Sequence, residues 1–365
     1  MKFNILQQDL LPALQAVSRS AGFHSTLPVL SNLLLSVSSH NLKISTTNLE
    51  IGVIKNLPAD ILEPGDITVP AKTITELVLS IGPVKLEFLS EGDTLNISAG
   101  KFKAKINGIS ATEFPVIPTS NQNPVNFKRK ILEQIQQVLF AAAADEGRPT
   151  LTGILTQSAS SKLDFVATDG FRLAHRQVSV GKEVHFKSLI PKRTFEEVLR
   201  VLTEEAVEEV SISTSKDQNQ VIFQIGGTMI SSRLIEGNFP AWEKIIPEDI
   251  KTRIIVEKEN LLQAIKLASV FAKGEANIVT LNPLPSKLVV TSEAKEVGQQ
   301  ENEIESEVSG ENFPIAFNVK FLTDILQSVS STQVLIELSG ALSASLIKPV
   351  GLEGLEYILM PVRTS

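Results

Sequence analysis

Three times over, with a period of about 120 residues, the chain writes one pattern: a short apolar strand, then apolar residues at helical spacing. Phe3 and Ile5 precede Leu10, Leu11, Leu14 and Val17. Val125 and Phe127 precede Ile131, Leu132, Ile135, Val138 and Leu139, and Ile254 and Val256 precede Leu261, Leu262, Ile265 and Val270. A second helical pattern follows about 65 residues later in each copy. It reads Ile74, Leu77, Val78, Ile81, then Phe195, Val198, Leu199, Leu202, then Phe321, Ile325, Leu326, Val329. Ile74 and Phe195 are separated by 121 positions, as are Leu10 and Ile131. Tandem copies of one unit point to a protein whose function resides in its shape.

Between the helical segments lie runs with the apolar spacing of strands, broken by Ser, Asn and Gly. The first copy has 33–37, 42–44, 51–54, 86–89, 95–97 and 102–106. The second has 151–155, 163–167, 210–212, 221–225 and 229–234. The third has 278–281, 288–290, 334–338, 343–347 and 357–360. Each copy therefore reads as two helices packed on antiparallel sheets, an α+β layer architecture. Phe114-Pro115 and Phe239-Pro240 close the first two copies, and the Pro- and Asn-rich stretches that follow read as linkers. The expected domains are 1–120, 125–247 and 251–365.

Catalytic constellations are missing. The four histidines, His24, His40, His175 and His185, stand at no metal-ligand spacing, and there is no cysteine for a disulfide or thiolate site. Gly100-Lys101 lacks the rest of a phosphate loop, and no Gly-x-Ser-x-Gly elbow occurs. Asp145-Glu146 reads as a solvated cap. Thr168-Asp169-Gly170 after an apolar run reads as a turn before it reads as a base. Nothing calls for a metal or cofactor, and an enzyme is not expected. The N-terminal segment has Asp9 and glutamines where a signal peptide needs an apolar core, and no run is long enough for a membrane span. A cytoplasmic setting without membrane attachment is the expectation, and the sequon at Asn96 reads as chance.

The net charge of −7 argues against an ordinary DNA-binding domain, but the charge is unevenly spread. Glu301, Glu303, Glu305 and Glu307 alternate with other residues as on a strand with one acidic face. Basic residues gather at the expected helix starts: Lys72, Lys128 to Lys130, Lys192 and Arg193, Lys258, and Lys320. Solvated helix faces would explain any one of these. Their recurrence suits a molecule that surrounds a polyanion on its helix side. A domain of this size is about 35 Å across. Six in a ring leave a hole of about 35 Å, enough for duplex DNA, whereas three leave only about 5 Å. Two chains joined head to tail would supply the six.

Five segments in order, LPVLSNLLL (27–35), ITVPAK (67–72), FVATDGFRLA (165–174), SRLIEGNFPAWEKIIP (232–247) and YILMPVR (357–363), resemble the bacterial DNA polymerase III β sliding clamps. The resemblance runs the length of the chain. It implies a six-domain ring formed by a homodimer, sliding on duplex DNA without sequence preference. It also implies tethering of the DNA polymerase and other replication and repair proteins through short peptide motifs, with a clamp loader to open the ring. By resemblance the peptide site comprises Leu151, Thr168, Gly170, Phe171, Arg172, Leu173, Pro240, Lys244, Ile245, Asn318, Phe321, Met360, Pro361, Val362 and Arg363, with Arg172 and Asn318 as its polar points. DNA-facing positions are His24, Lys72, Lys103, Arg148, Lys192 and Arg193. The subunit seam sets Val270 and Phe271 against Lys72, Ala104 and Ile106. The chain departs from the family at His24 (often Arg), Phe171 (often His), Trp242 (often Tyr) and the terminal Thr364-Ser365. Without DNA encirclement, the same features would suit a three-domain peptide-binding scaffold.

Overall fold

A computed structural model describes residues 1–23, 25–38, 41–119, 122–145, 147–181, 185–215, 219–272, 277–294 and 298–363. His24, Thr364 and Ser365 lie outside the described residues. The described residues form six α-helices, all but α3 following the sequence pattern: α1 (Gln7–Ser18), α2 (Ala71–Ser80), α3 (Arg129–Glu133), α4 (Lys192–Glu204), α5 (Lys258–Ala272) and α6 (Val319–Ser328). The chain divides into two compact units. The first is Met1–Arg129 with Arg193–Leu234, and the second is Lys130–Lys192 with Ile235–Ser365.

In the first unit, eight strands form one antiparallel sheet and five another. α1 buries Leu10, Leu14 and Val17, and α2 buries Ile74 and Val78, as their spacing requires. Polar atoms fasten the two helices. Gln7 Nε2 donates to the Val78 carbonyl at 3.0 Å, the Ser18 and Thr75 hydroxyls lie 2.8 Å apart, and Thr46 Oγ1 donates to the Val17 carbonyl at 2.7 Å. Strand Thr228–Arg233 of the middle copy pairs antiparallel with Ile51–Pro58 of the first, Thr228 opposite Lys55. Across that pairing Glu205 accepts from Lys55 and from Thr228 Oγ1.

The second unit is built on a single twelve-stranded sheet. The joint between middle and last copies is again antiparallel: Arg172–Ser179 pairs with Leu355–Leu359, Arg172 opposite Leu359 and Arg176 opposite Leu355. On the helix face, Ala174, Tyr357, Ile347, Ile336 and Ile254 are buried. α6 begins at Asn318, whose Oδ1 accepts from the backbone N–H of Lys320 at 2.9 Å and of Phe321 at 3.2 Å. The acidic run forms the strand Gly298–Gly310, with Glu301, Glu303, Glu305 and Glu307 exposed and Ile304 buried, as the alternation predicts.

The first helical segment of the middle copy differs from expectation. After α3 the chain tightens into 3-10 turns at Gln134–Gln137 and Leu139–Ala141. The buried residues are Leu132, Ile135, Val138 and Ala141, which recur every third position. That is the repeat of a 3-10 helix, which places every third side chain in register. Leu151, expected to open a strand, lies in a 3-10 turn at Pro149–Leu151, and the strand starts at Gly153.

Candidate functional site

The Thr-Asp-Gly sequence makes the turn between strands Lys162–Thr168 and Arg172–Ser179. Asp169 Oδ1 accepts from the backbone N–H of Phe171 at 2.9 Å and of Arg172 at 3.1 Å, while Thr168 Oγ1 donates to the Arg172 carbonyl at 2.6 Å. Gly170 takes φ +91°, and a Cβ there would lie 2.8 Å from Arg148 Nη1. Arg148 Nη2 holds the turn from outside, donating to the Asp169 carbonyl at 2.9 Å. This small rigid turn presents Phe171, which is 56% exposed.

Strand alternation sends Arg172 and Leu173 to opposite faces of the sheet. Arg172 points inward and is buried. Its Nε donates to Asp169 at 3.0 Å, Nη1 to Asp324 at 2.6 Å and Nη2 to the Phe140 carbonyl at 2.9 Å. Its guanidinium carbon lies 4.6 Å from the Phe321 ring centroid and 5.1 Å from that of Phe140. Arg172 was expected as a polar point of the site, and here each of its nitrogens is engaged within the chain, so that it supports the site from beneath. Asp324 is the other half of the support, held also by Lys320 Nζ at 2.8 Å. Burial pushes its carboxyl up, but the hydrogen bonds from Lys320 and Arg172 outweigh this and leave it below the usual carboxylate range. Asn318, the second expected polar point, spends its carbonyl oxygen on the α6 cap.

Above this support the aromatic rings of Phe171 and Phe321 stack at 6.0 Å. The Met360 N–H donates to the Phe171 carbonyl at 2.9 Å, and the Val362 N–H to the Ala316 carbonyl at 2.8 Å. The run Met360 to Arg363 is thus fastened beside Phe171, with Met360 and Arg363 exposed and Pro361 and Val362 half-buried.

On the outer face of the same sheet Leu173 joins Leu155, Val166, Leu189, Leu346, Ile358 and Trp242 in one apolar cluster. Ile235, Phe239 and Ile246 pack on it, so the 235–246 segment lies across the strands as a strap. The strap ends in a 3-10 turn, Trp242–Ile245, that turns Trp242 inward and leaves Pro240, Lys244 and Ile245 exposed. Of the expected peptide-site residues, then, Gly170, Phe171, Pro240, Lys244, Ile245, Met360 and Arg363 are exposed, whereas Leu151, Thr168, Arg172 and Leu173 are buried. Phe140 and Asp324 were missed, since only the folded chain brings them to Arg172.

Beyond Trp242 the outer face turns ionic. Arg253, Glu337, Lys348 and Glu356 alternate in sign across four neighbouring strands, and His175 and Asp164 follow on the next two. Arg253 Nε lies 2.9 Å and Lys348 Nζ 3.2 Å from Glu337, and Lys348 Nζ lies 3.6 Å from Glu356. His175 Nδ1 faces Glu356 at 3.6 Å and Nε2 meets Asp164 at 2.8 Å. Burial lowers the His175 pKa, but the Asp164 and Glu356 carboxylates outweigh it and raise the imidazole above its ordinary 6.5.

The expected DNA-facing residues lie on several different elements. Lys72 lies exposed in the first turn of α2, and Lys192 and Arg193 open α4. Lys103 sits on the strand Phe102–Asn107, not on a helix. At the expected seam, Val270 is 56% exposed, Phe271 and Ala104 are half-buried, and Ile106 is buried. Among the described residues no cluster could hold a metal ion, and no helix is long and apolar enough to cross a membrane.

Known proteins match the chain from end to end. Family models match in order: the DNA polymerase III beta subunit N-terminal domain at 1–118, the central domain at 127–241 and the C-terminal domain at 243–363. The beta sliding clamp of Synechocystis sp. is 31% identical, covering 100% of this chain and 99% of that protein. That of Bacillus subtilis is 29% identical over 100% of both. The crystal structure of the Bacillus subtilis DNA polymerase sliding clamp superposes with a TM-score of 0.95 at 27% identity over 100% of both chains. A Pseudomonas aeruginosa sliding clamp bound to griselimycin gives 0.94 at 28% identity, again over 100% of both. The repeat, the three clamp domains on antiparallel sheets and these matches together show that the chain belongs to the DNA polymerase III beta subunit family, the beta sliding clamps.

Proposed function

We propose that the protein is a DNA sliding clamp, a processivity factor that encircles duplex DNA as a head-to-tail homodimer of six clamp domains. The domains are taken as 1–120, 125–247 and 251–365. The clamp tethers the DNA polymerase and other replication and repair proteins through the peptide site around Phe171, Ile245 and Met360, and a loader opens it. It works in the cytoplasm and performs no chemistry of its own. The observation that carries this reading is the repeat, whose copies are joined twice in the same way and left open once.

Strand Thr228–Arg233 pairs with Ile51–Pro58, and Leu355–Leu359 pairs with Arg172–Ser179. The corresponding strands left over are Phe102–Asn107, outermost in its sheet, and Gly298–Gly310. The latter's 298–305 half pairs on one side only among the described residues. If the third join repeats the strand pairing of the first two, Phe102 faces Asn302 and Ile106 faces Gly298 of a second copy. Lys101 and Lys103 then meet Glu303 and Glu301. Ala104 and Ile106 lie within this seam, and Val270 and Phe271 on α5, with Lys72 on α2, complete it. Lys103 suits the seam better than the DNA path.

Toward DNA the argument is electrostatic. A cation in a helix's first turn opposes the helix dipole at a cost of about 0.3–1 kcal/mol. Five of the six helices nevertheless carry Lys or Arg there: Lys72, Arg129 and Lys130, Lys192 and Arg193, Lys258, and Lys320. Lys258 and Lys320 have internal work, on the Val329 carbonyl and on Asp324. By resemblance, Lys72, Lys192, Arg193, Arg148 and His24 are the weak DNA contacts, and weak contacts suit a ring that must slide.

The test is topological. Loaded on nicked circular DNA, the protein is expected to stay bound through gel filtration and to leave once the circle is cut. Equal loss from circular and linear DNA would instead mark a peptide-binding scaffold. Small-angle scattering should give twice the chain mass of 39.7 kDa, with a central void.

A further inference from the structure

The sheet's outer face joins two structures that the clamp reading leaves unconnected: the ion ladder and the apolar cluster under the strap. They meet at one contact, where the His175 and Trp242 rings lie 4.3 Å apart at 46°. We propose that peptide binding by this clamp is proton-linked through His175, which acts as a positioning residue beneath Trp242. The inference rests on the peptide-site reading above and adds its regulation.

His175 is 7% exposed and lies in the strand that joins the middle copy to the last. The charged groups facing it are Asp164 from strand Lys162–Thr168 and Glu356 from strand Leu355–Leu359. Lys348 of strand Ser345–Pro349 lies behind Glu356. Gln177 Nε2 donates to the same Asp164 oxygen at 2.9 Å. Two carboxylates therefore flank one imidazole. Protonated, it donates from Nε2 to Asp164 and aims Nδ1–H at Glu356, completing an unbroken alternation of sign from Arg253 to Asp164. Neutral, it leaves Nδ1 buried and without a hydrogen-bond partner, next to a carboxylate.

Trp242 feels that change directly. Its indole touches the imidazole, and a cation against an indole is attracted to the ring. Trp242 is also the buried residue of the turn Trp242–Ile245, whose exposed members Lys244 and Ile245 belong to the proposed peptide site. Losing the proton removes the cation from beneath Trp242 and unbalances Asp164 and Glu356, so the turn is held less firmly. A ligand then has to order Ile245 and Lys244 itself, and affinity falls.

The chain has one tryptophan, so its fluorescence reports this contact alone. An imidazolium in contact quenches indole emission more than neutral imidazole does. Full-length protein is titrated from about pH 5.5 to about pH 9. Tryptophan emission is followed alongside anisotropy of a fluorescein-labelled, N-acetylated peptide ending in Leu-Phe. Emission should rise in a single step with a midpoint above 6.5. Peptide affinity should fall about threefold to tenfold over the same step. His175→Gln should abolish both transitions. Glu356→Gln, which keeps the imidazole, should move both midpoints down together, and it decides the matter should His175→Gln not fold. A tryptophan step with pH-independent affinity would overturn the linkage while leaving the peptide site standing. So would an affinity change that survives His175→Gln. Absence of peptide binding at every pH would instead overturn the peptide-site reading, and the linkage with it.

Discussion

At the scale of single residues, the turn that shows Phe171 to solvent is held by hydrogen bonds through Thr168, Asp169 and Arg148. Gly170 is the position where a side chain is least welcome: φ is +91°, and Arg148 occupies the space a Cβ would need. Gly170→Ala should cost about 1–2 kcal/mol, seen as a lower Tm, and should weaken peptide binding by displacing Arg148 from the Asp169 carbonyl. Arg172→Ala should be more damaging, about 3–5 kcal/mol, because it removes the one cation shared by Asp169 and Asp324 beneath the site. Chemical denaturation measures this directly. The same support makes the second unit acid-sensitive. Asp324 has a folded pKa below its unfolded value, so the stability it contributes is present above the ordinary carboxylate value of 3.8 and is lost as pH falls through the folded pKa. His175 has the opposite sign. Its folded pKa is raised, so its contribution is complete below about 6.5 and is lost as pH rises through the folded value. Asp324→Asn should flatten the acid limb of the stability–pH curve and leave the alkaline limb unchanged.

At the scale of elements, legibility depended on whether a segment's partners were local. α1, α2, α5 and α6 were readable because each buries one stripe of its own sequence. The first helical segment of the middle copy was read with the same period and proved to be a short α-helix continued by 3-10 turns. Apolar residues at 131, 132, 135, 138 and 139 satisfy both periods, and only burial at 132, 135, 138 and 141 separates them. α5 carries a prediction of its own. The resemblance set Val270 and Phe271 at the seam, and Val270 proves the more exposed of the two. Val270→Asp should give a monomer by sedimentation at low micromolar concentration, with Tm close to that of the parent. Phe271→Asp should also give a monomer with the fold intact. A dimer persisting in both variants would remove α5 from the seam.

At the scale of the whole molecule, one interaction tests the ring. Lys103→Glu should weaken the dimer about threefold to tenfold by opposing Glu301 of the second copy, and adding Glu301→Lys should restore it. A double variant weaker than either single one would put the strand register elsewhere. Clamps already loaded on closed circular DNA should stay bound as salt rises, while whatever direct binding the free protein shows should fall steeply, because a topological link releases no counterions.

The repeat period, the alternation of each strand, the Asx turn at Asp169 and the family resemblance were all contained in the order of residues, since each depends on neighbours within one segment. Tertiary structure decided the rest. Arg172 and Leu173 are adjacent in sequence, and nothing local says which of them meets solvent, ligand or core. That follows from Phe140, Asp324 and Trp242, brought to opposite faces of one strand by distant parts of the chain. The ladder from Arg253 to Asp164 has no signature at all in sequence order. Its members become neighbours only because backbone hydrogen bonding sets six strands side by side, and the charge on His175 then answers to carboxylates that the linear chain keeps far away.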